Sequence, residues 1–148
     1  VYTARPILFA HRGGRAHAPE NTLAAFRLAV RLGATGLESD VWCTLDGTPV
    51  LHHDGRVGRR PRRRLISSLD AAELPDDLPT LADLLTEIDT DLPVSLDVKD
   101  PVAAAPTIRL TAEFGGTARL WLCHPDHALL ASWRDLDSRV RLVHSSSV

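Results

Sequence analysis

The residues able to do chemistry fall in four short groups, each breaking into an otherwise apolar run: His11-Arg12, Glu38 with Asp40, His53-Asp54, and Asp97 with Lys99. Glu38 and Asp40 are two apart, as are Asp97 and Lys99, so on a strand each pair shares one face. If those faces meet, three carboxylates converge, and they would repel one another unless a cation lies between them. Oxygen ligands without a nearby thiolate favour a hard divalent ion, Mg²⁺ or Ca²⁺, over zinc. Two histidines close to the same point could take and give a proton near neutral pH. Arg12 and Lys99 add fixed positive charge suited to a phosphate and to the charge that builds in its transition state. Metal carboxylates, two histidines, an arginine and a lysine together describe phosphodiester cleavage.

The elements that would carry these groups alternate between short apolar runs and helical periodicity, as βα units do. Strands are expected over Ile7–Ala10, Gly36–Val41, Pro49–His52, Val94–Val98, Leu120–Cys123 and Val140–Val143. Helices are expected over Leu23–Leu32, capped by Asn21-Thr22 and stopped by Gly33, and over Leu81–Ile88, opened by Pro79-Thr80. Two more follow over Val102–Phe114 and Asp126–Trp133. Each chemical group then stands at the C-terminal end of a strand taken as parallel, where (β/α)8 barrels place their active sites. The first βα turn has no G-x-G-x-x-G, so a dinucleotide-binding sheet has no support. A closed barrel typically takes about 250 residues. The expected fold is therefore α/β, a TIM-type (β/α)8 barrel with about six of its strands present, residues 1–148 forming the N-terminal part of one domain.

Composition narrows the partners. The chain has 148 residues, 44% of them hydrophobic, which is enough for a real core and excludes a disordered tail or a disulfide-stapled miniprotein. Seventeen basic residues against nineteen acidic ones give a net charge of −2, so no global field argues for nucleic acid. No apolar run approaches the length of a membrane span, no leader is visible, and the cytoplasm is the expected compartment. Cys43 and Cys123 read as small buried hydrophobes. Six arginines between Arg56 and Arg64 read as a solvated loop, with an anion-attracting rim of a site as the sharper alternative. Lys99 is the only lysine, the other sixteen basic residues being arginine.

The segment AHRGGRAHAPENTLAAF, Ala10 to Phe26, resembles the opening motif HRG…PENT..AF of glycerophosphodiester phosphodiesterases. LESDVWCTLDGTPVLHHD, Leu37 to Asp54, is similar to the family's E-x-D strand followed by DG-x-PV…HD. Leu78-Pro79-Thr80-Leu81 resembles its PTL helix start, and Leu96-Asp97-Val98-Lys99 its E-x-K strand, where Lys99 falls on the family's lysine. The resemblance implies a TIM-type barrel that hydrolyses glycerophosphodiesters to glycerol 3-phosphate and an alcohol. It makes Glu38, Asp40 and Asp97 the metal ligands, His11 and His53 the acid/base pair, Arg12 the phosphate ligand, and Lys99 the stabiliser of developing charge. Asp97 departs from the family's glutamate by one methylene. The resemblance also implies later strands that the residues up to Val148 do not supply, so the expectation is either a fragment of a longer enzyme or, if those strands are truly absent, self-association that fills their place.

Two other readings use the same residues: a sphingomyelinase D-like phospholipase lyase, and a non-catalytic truncated barrel serving as a binding or regulatory fragment. Adjacent His52 and His53 point to opposite sides, and His53 is taken as the functional one. Glu20 and Asn21 read either as helix caps or as residues orienting the site. Asp54 either orients His53 or ends its strand. His17, His124, His127 and His144 carry no motif and read as ordinary surface or core residues.

Overall fold

The computed structural model describes residues 6–88 and 91–146. In chain order the strands are β1 (Phe9–His11), β2 (Gly36–Cys43), β3 (Pro49–Leu51), β4 (Arg56–Val57), β5 (Arg64–Leu65), β6 (Val94–Val98), β7 (Leu120–His124) and β8 (Arg141–His144). The α-helices are α1 (Leu23–Arg31), α2 (Leu81–Glu87), α3 (Ala104–Glu113) and α4 (His127–Arg134). Strands β1, β2, β6, β7 and β8 lie side by side in that order, every neighbouring pair parallel. A doubly wound sheet reverses its strand order at a switch point, whereas here space follows sequence without reversal. The chain is an arc of a TIM-type (β/α)8 barrel.

Helix starts follow local chemistry. Thr22 Oγ1 accepts the Ala25 N–H at 3.2 Å to open α1. Thr80 and Asp83 exchange backbone N–H bonds in a capping box at the start of α2, and Asp126 Oδ1 accepts the Ala128 N–H at 2.7 Å to open α4. Asn21 takes no part in capping: its φ of +53° places it in the turn before Thr22. Leu37 and Val41 of β2, Leu96 and Val98 of β6, and Leu122 of β7 bury one face of the sheet against Phe26, Leu81, Leu84, Ile108 and Leu130. Alternation sends Glu38, Asp40, Ser95, Asp97 and Cys123 to the opposite face. Deeper on that face Phe9 meets Trp121 edge-on at 5.6 Å, and the Arg141 guanidinium lies 5.1 Å over the same indole.

The expected strand at Pro49 forms, but it is antiparallel to β2, which corrects the reading of six parallel strands to five. A parallel return needs a crossover of a dozen or more residues, and only Thr44–Thr48 separate β2 from β3. That link closes as a turn: Thr48 N–H donates to Thr44 Oγ1 at 2.8 Å, and Gly47 takes φ +86°. The arginine-rich stretch also differs from a plain solvated loop. Its ends pair as the β4–β5 hairpin, anchored by Val57 in a small cluster with Val50, Ile66 and Leu69. Among the described residues no helix is long and apolar enough to cross a membrane.

Candidate active site

Strand register assembles the site. His11 ends β1 opposite Glu38, and Asp40 stands opposite Asp97 on the next strand. In-register neighbours on parallel strands project to the same side, so the four side chains share one face near the strand ends. Arg12 follows at φ +57°, and its backbone N–H is shared between the Glu38 carbonyl and Glu38 Oε2, both at 3.0 Å. Gly13 makes this turn feasible: its φ is +78°, and a Cβ there would lie 2.7 Å from the carbonyl carbon of Ala25. The first loop is thereby pressed onto α1, and its arginine is turned back over β2.

Asp40 is the most enclosed of the charged groups, with 3% of its side chain exposed. Its Oδ2 lies 3.1 Å from Arg12 Nε and accepts the Asn21 amide at 3.4 Å, while its Oδ1 lies 3.3 Å from Lys99 Nζ. The Arg12 Nε–H is buried and misaligned, so its approach to Asp40 is an ion pair without a hydrogen bond. Lys99 also donates to Asp97 Oδ2 and so ties β6 to β2. Burial works against the Lys99 ammonium, but the carboxylates of Asp97 and Asp40 outweigh it and hold its pKa above the ordinary value. Asn21 completes the frame by accepting from Ser39 Oγ at 2.8 Å.

Glu38 behaves differently. Burial, opposed by the Arg12 N–H and reinforced by the charge of Asp40, pushes its carboxyl up to about 7. The His11 imidazole is its neighbour on β1, with Nε2 standing 3.8 Å from Oε2. Burial, with the charges of Arg12 and Arg15, lowers the His11 pKa below its ordinary value, so the imidazole is neutral at pH 7.

The structure thus brings together His11, Arg12, Glu38, Asp40, Asp97 and Lys99. His53 stands apart: among the described residues no hydrogen bond or ion pair links it to that network. It follows an antiparallel strand, which corrects its expected place at a parallel strand end. Its Nδ1 donates to Asp54 Oδ1 at 2.7 Å, and Arg63 donates to Asp54 Oδ2 at 2.9 Å. Those two bonds hold the Asp54 carboxyl below the usual carboxylate range. Asp54 therefore orients its neighbour. The donors offered by Glu38, Asp40 and Asp97 are all oxygen, and Glu38 lacks a fixed positive partner, which suits a hard cation. Among the described residues, however, no three His, Cys, Asp or Glu side chains are gathered around one point as they stand, because the Lys99 ammonium occupies the place between Asp40 and Asp97.

Glu20 and Asn21, whose types suit either a helix cap or an orienting role, both orient here. Arg12 donates to Glu20 at 3.2 Å, and Asn21 bridges Ser39 to Asp40. Arg63 was legible only as one of a basic run. His124, set aside for want of a motif, stacks edge-on against Trp133 yet borders a cavity of about 400 Å³ with Asp97 and Lys99. The His127 and His144 rings meet edge-on with centroids 4.9 Å apart.

The sequence model of the Glycerophosphoryl diester phosphodiesterase family matches residues 11–107. The chain is 41% identical over 130 residues to Glycerophosphodiester phosphodiesterase 1 of Mus musculus, covering 74% of this chain and 39% of that protein. It is 32% identical over 120 residues to the Glycerophosphodiester phosphodiesterase of Caldanaerobacter subterraneus, covering 70% and 49% respectively. The chain accordingly spans less than half of the length of the curated relatives it matches. Among solved structures, a glycerophosphodiester phosphodiesterase from Thermotoga maritima superposes with a TM-score of 0.77 at 27% identity, over 88% of this chain and 59% of that one. An Oleispira antarctica phosphodiesterase, in complex with the product sn-glycerol-3-phosphate, gives a TM-score of 0.77 at 26% identity, over 96% and 67%.

Proposed function

The chain belongs to the glycerophosphoryl diester phosphodiesterase family, and on that premise we propose that its site serves metal-dependent hydrolysis of glycerophosphodiesters to sn-glycerol 3-phosphate and an alcohol. The observation that carries this reading is the register of His11 on Glu38 and of Asp40 on Asp97, with Lys99 held by both aspartates. The base, the anion ligand and the oxygen donors stand together at the ends of three adjacent strands, and the acid, His53, follows the antiparallel β3.

Glu38 and Asp40 would hold a divalent cation, Mg²⁺ or Ca²⁺, with Asp97 joining as Lys99 turns toward substrate. When bound, such an ion supplies Lewis-acid polarisation of a phosphoryl oxygen. Arg12, poised above Asp40, presents its guanidinium to the phosphate, and Lys99 supplies charge where it develops. Neutral His11 takes the proton of the glycerol 2-hydroxyl as that oxygen attacks phosphorus. The bond to the alcohol breaks, and His53, oriented by Asp54, gives the leaving oxygen a proton. Water then opens the cyclic phosphate with the two histidines in reversed roles. Because His53 lies outside the carboxylate network, the substrate is what joins the two halves of this machinery.

Phosphorus NMR of glycerophosphocholine incubated with this chain, and with any longer natural form, tests the reading. The expected end product is sn-glycerol 3-phosphate. A stable cyclic phosphate made from lysophosphatidylcholine or sphingomyelin, with glycerophosphocholine untouched, would assign the lyase chemistry instead.

A further inference from the structure

Beside the carboxylate network lies a second cavity of about 480 Å³ that the proposed chemistry does not use. That volume is within the range of small-ligand pockets. Its walls include His52, Arg56, Arg60 and Arg63, with Glu20 and Asp77 as the acidic members. Two of these charges are already committed, Glu20 to Arg12 and Arg15, and Arg63 to Asp54. Of the six arginines between 56 and 64, only Arg63 and Arg64 form ion pairs among the described residues. Arg56 and Arg60 therefore bring two uncompensated positive charges to the wall against the single charge of Asp77, and a guanidinium does not titrate away. These arginines are not on a free coil. Arg56 belongs to the β4–β5 hairpin, which buried Val57 anchors beside Val50, Ile66 and Leu69.

The cavity also adjoins the site. Glu20 receives Arg12, Asn21 on the same wall donates to Asp40 Oδ2, and the His52 backbone N–H donates to the Asp40 carbonyl at 3.1 Å. His52 Nδ1 accepts the Asp54 N–H at 3.2 Å, which leaves its Nε2 as the proton-bearing nitrogen. A diester whose phosphate meets Arg12 thus has a basic recess within reach for one of its two alcohols. We infer that this recess receives the leaving alcohol and selects one that carries a second anionic group, such as a phosphorylated polyol. The inference rests on the hydrolytic reading above and names its substrate class.

The test compares glycerophosphoinositol with glycerophosphoinositol 4-phosphate, a pair that differs only in the second phosphate, and measures kcat/KM for each in the protein and in the double variant R56Q/R60Q. Among the described residues the Arg56 side chain makes no hydrogen bond or ion pair, while its backbone pairs with Leu65 and its carbonyl accepts from Arg63, so glutamine preserves the hairpin's own bonds. Two solvent-exposed charge contacts amount to a preference of about tenfold for the phosphorylated substrate. That preference is expected to vanish in the double variant while the unphosphorylated diester is turned over as before. Equal kcat/KM for the two substrates, or a preference that survives the double substitution, overturns the inference and leaves the hydrolytic reading intact. Calorimetric binding of inositol 1,4-bisphosphate gives a readout independent of turnover. Binding lost in the variant, without hydrolysis of either diester, upholds the recess and retires the hydrolytic reading. Absence of both binding and hydrolysis retires both. Binding to phosphatidylserine vesicles through the same arginines, with no binding of the bisphosphate, overturns the inference in favour of a membrane-facing patch.

Discussion

With 3% of its side chain exposed, Asp40 holds Arg12 and Lys99 at 3.1 and 3.3 Å and accepts from Asn21 as well. Asp40→Asn removes the charge between two cations that are themselves half-buried. Breaking one partner out of a buried pair costs about 3–5 kcal/mol, and the partial exposure of Lys99 argues for the lower end. Urea unfolding of the ion-free protein is expected to show a loss of about 3 kcal/mol; a loss within 0.5 kcal/mol of zero, on the order of an ordinary surface substitution, would show that the network does not hold the strands together. Glu38 carries a second expectation. Its folded pKa, pushed up to about 7, stands above its ordinary 4.5. Between those values the folded chain binds a proton that the unfolded chain has released. Its contribution is therefore fully present below pH 4.5 and lost as pH rises through 7, a fall of about 3 kcal/mol. In EDTA, the stability difference between the protein and Glu38→Gln should change by that amount between pH 4.5 and 8, and Mg²⁺ or Ca²⁺ should recover it at pH 8. A difference that does not vary with pH would mean that Glu38 is solvated and free.

At the level of elements, the loop after β1 depends on a glycine whose two constraints can be separated. Gly13 and Gly47 both hold positive φ, +78° and +86°, but a Cβ at Gly13 meets the Ala25 backbone, whereas at Gly47 it meets nothing within 4 Å. Gly47→Ala should cost about 1–2 kcal/mol from the left-handed conformation alone. Gly13→Ala adds overpacking of about 1–3 kcal/mol and displaces the Arg12 N–H from Glu38. Chemical denaturation of the two variants, with similar losses for both, would show that the loop does not depend on its approach to α1. The same loop marks how far sequence alone reaches. The E-x-D and D-x-K spacings place Glu38, Asp40, Asp97 and Lys99 correctly because a strand's period of two is rigid. The direction of β3 is not in its apolar pattern, which is the same for parallel and antiparallel strands; only the brevity of Thr44–Thr48 distinguishes them. The part played by Asn21 was hidden for a related reason. Its type suits a cap, and only the three-dimensional turn hands capping to Thr22 and turns Asn21 toward Ser39 and Asp40.

For the whole molecule, two faces of one sheet divide the labour. Leucines and valines pack outward against four helices, and the alternate positions deliver carboxylates, His11 and Lys99 to the strand ends. The helix-backed arc of five parallel strands fixes the relative positions of β1, β2 and β6, while His53 follows the antiparallel β3 and is held by Asp54. The central claim is that this face hydrolyses a glycerophosphodiester with a divalent cation held by its carboxylates. Its most direct test is the rate of sn-glycerol 3-phosphate release from glycerophosphocholine, with Mg²⁺ or Ca²⁺ and then with excess EDTA, in the protein and in Asp40→Asn. The expected result is release with the ion, loss in EDTA, recovery on adding the ion back, and a loss of at least about a hundredfold in Asp40→Asn. Release that is unchanged by EDTA, or that Asp40→Asn retains in full, would contradict the claim.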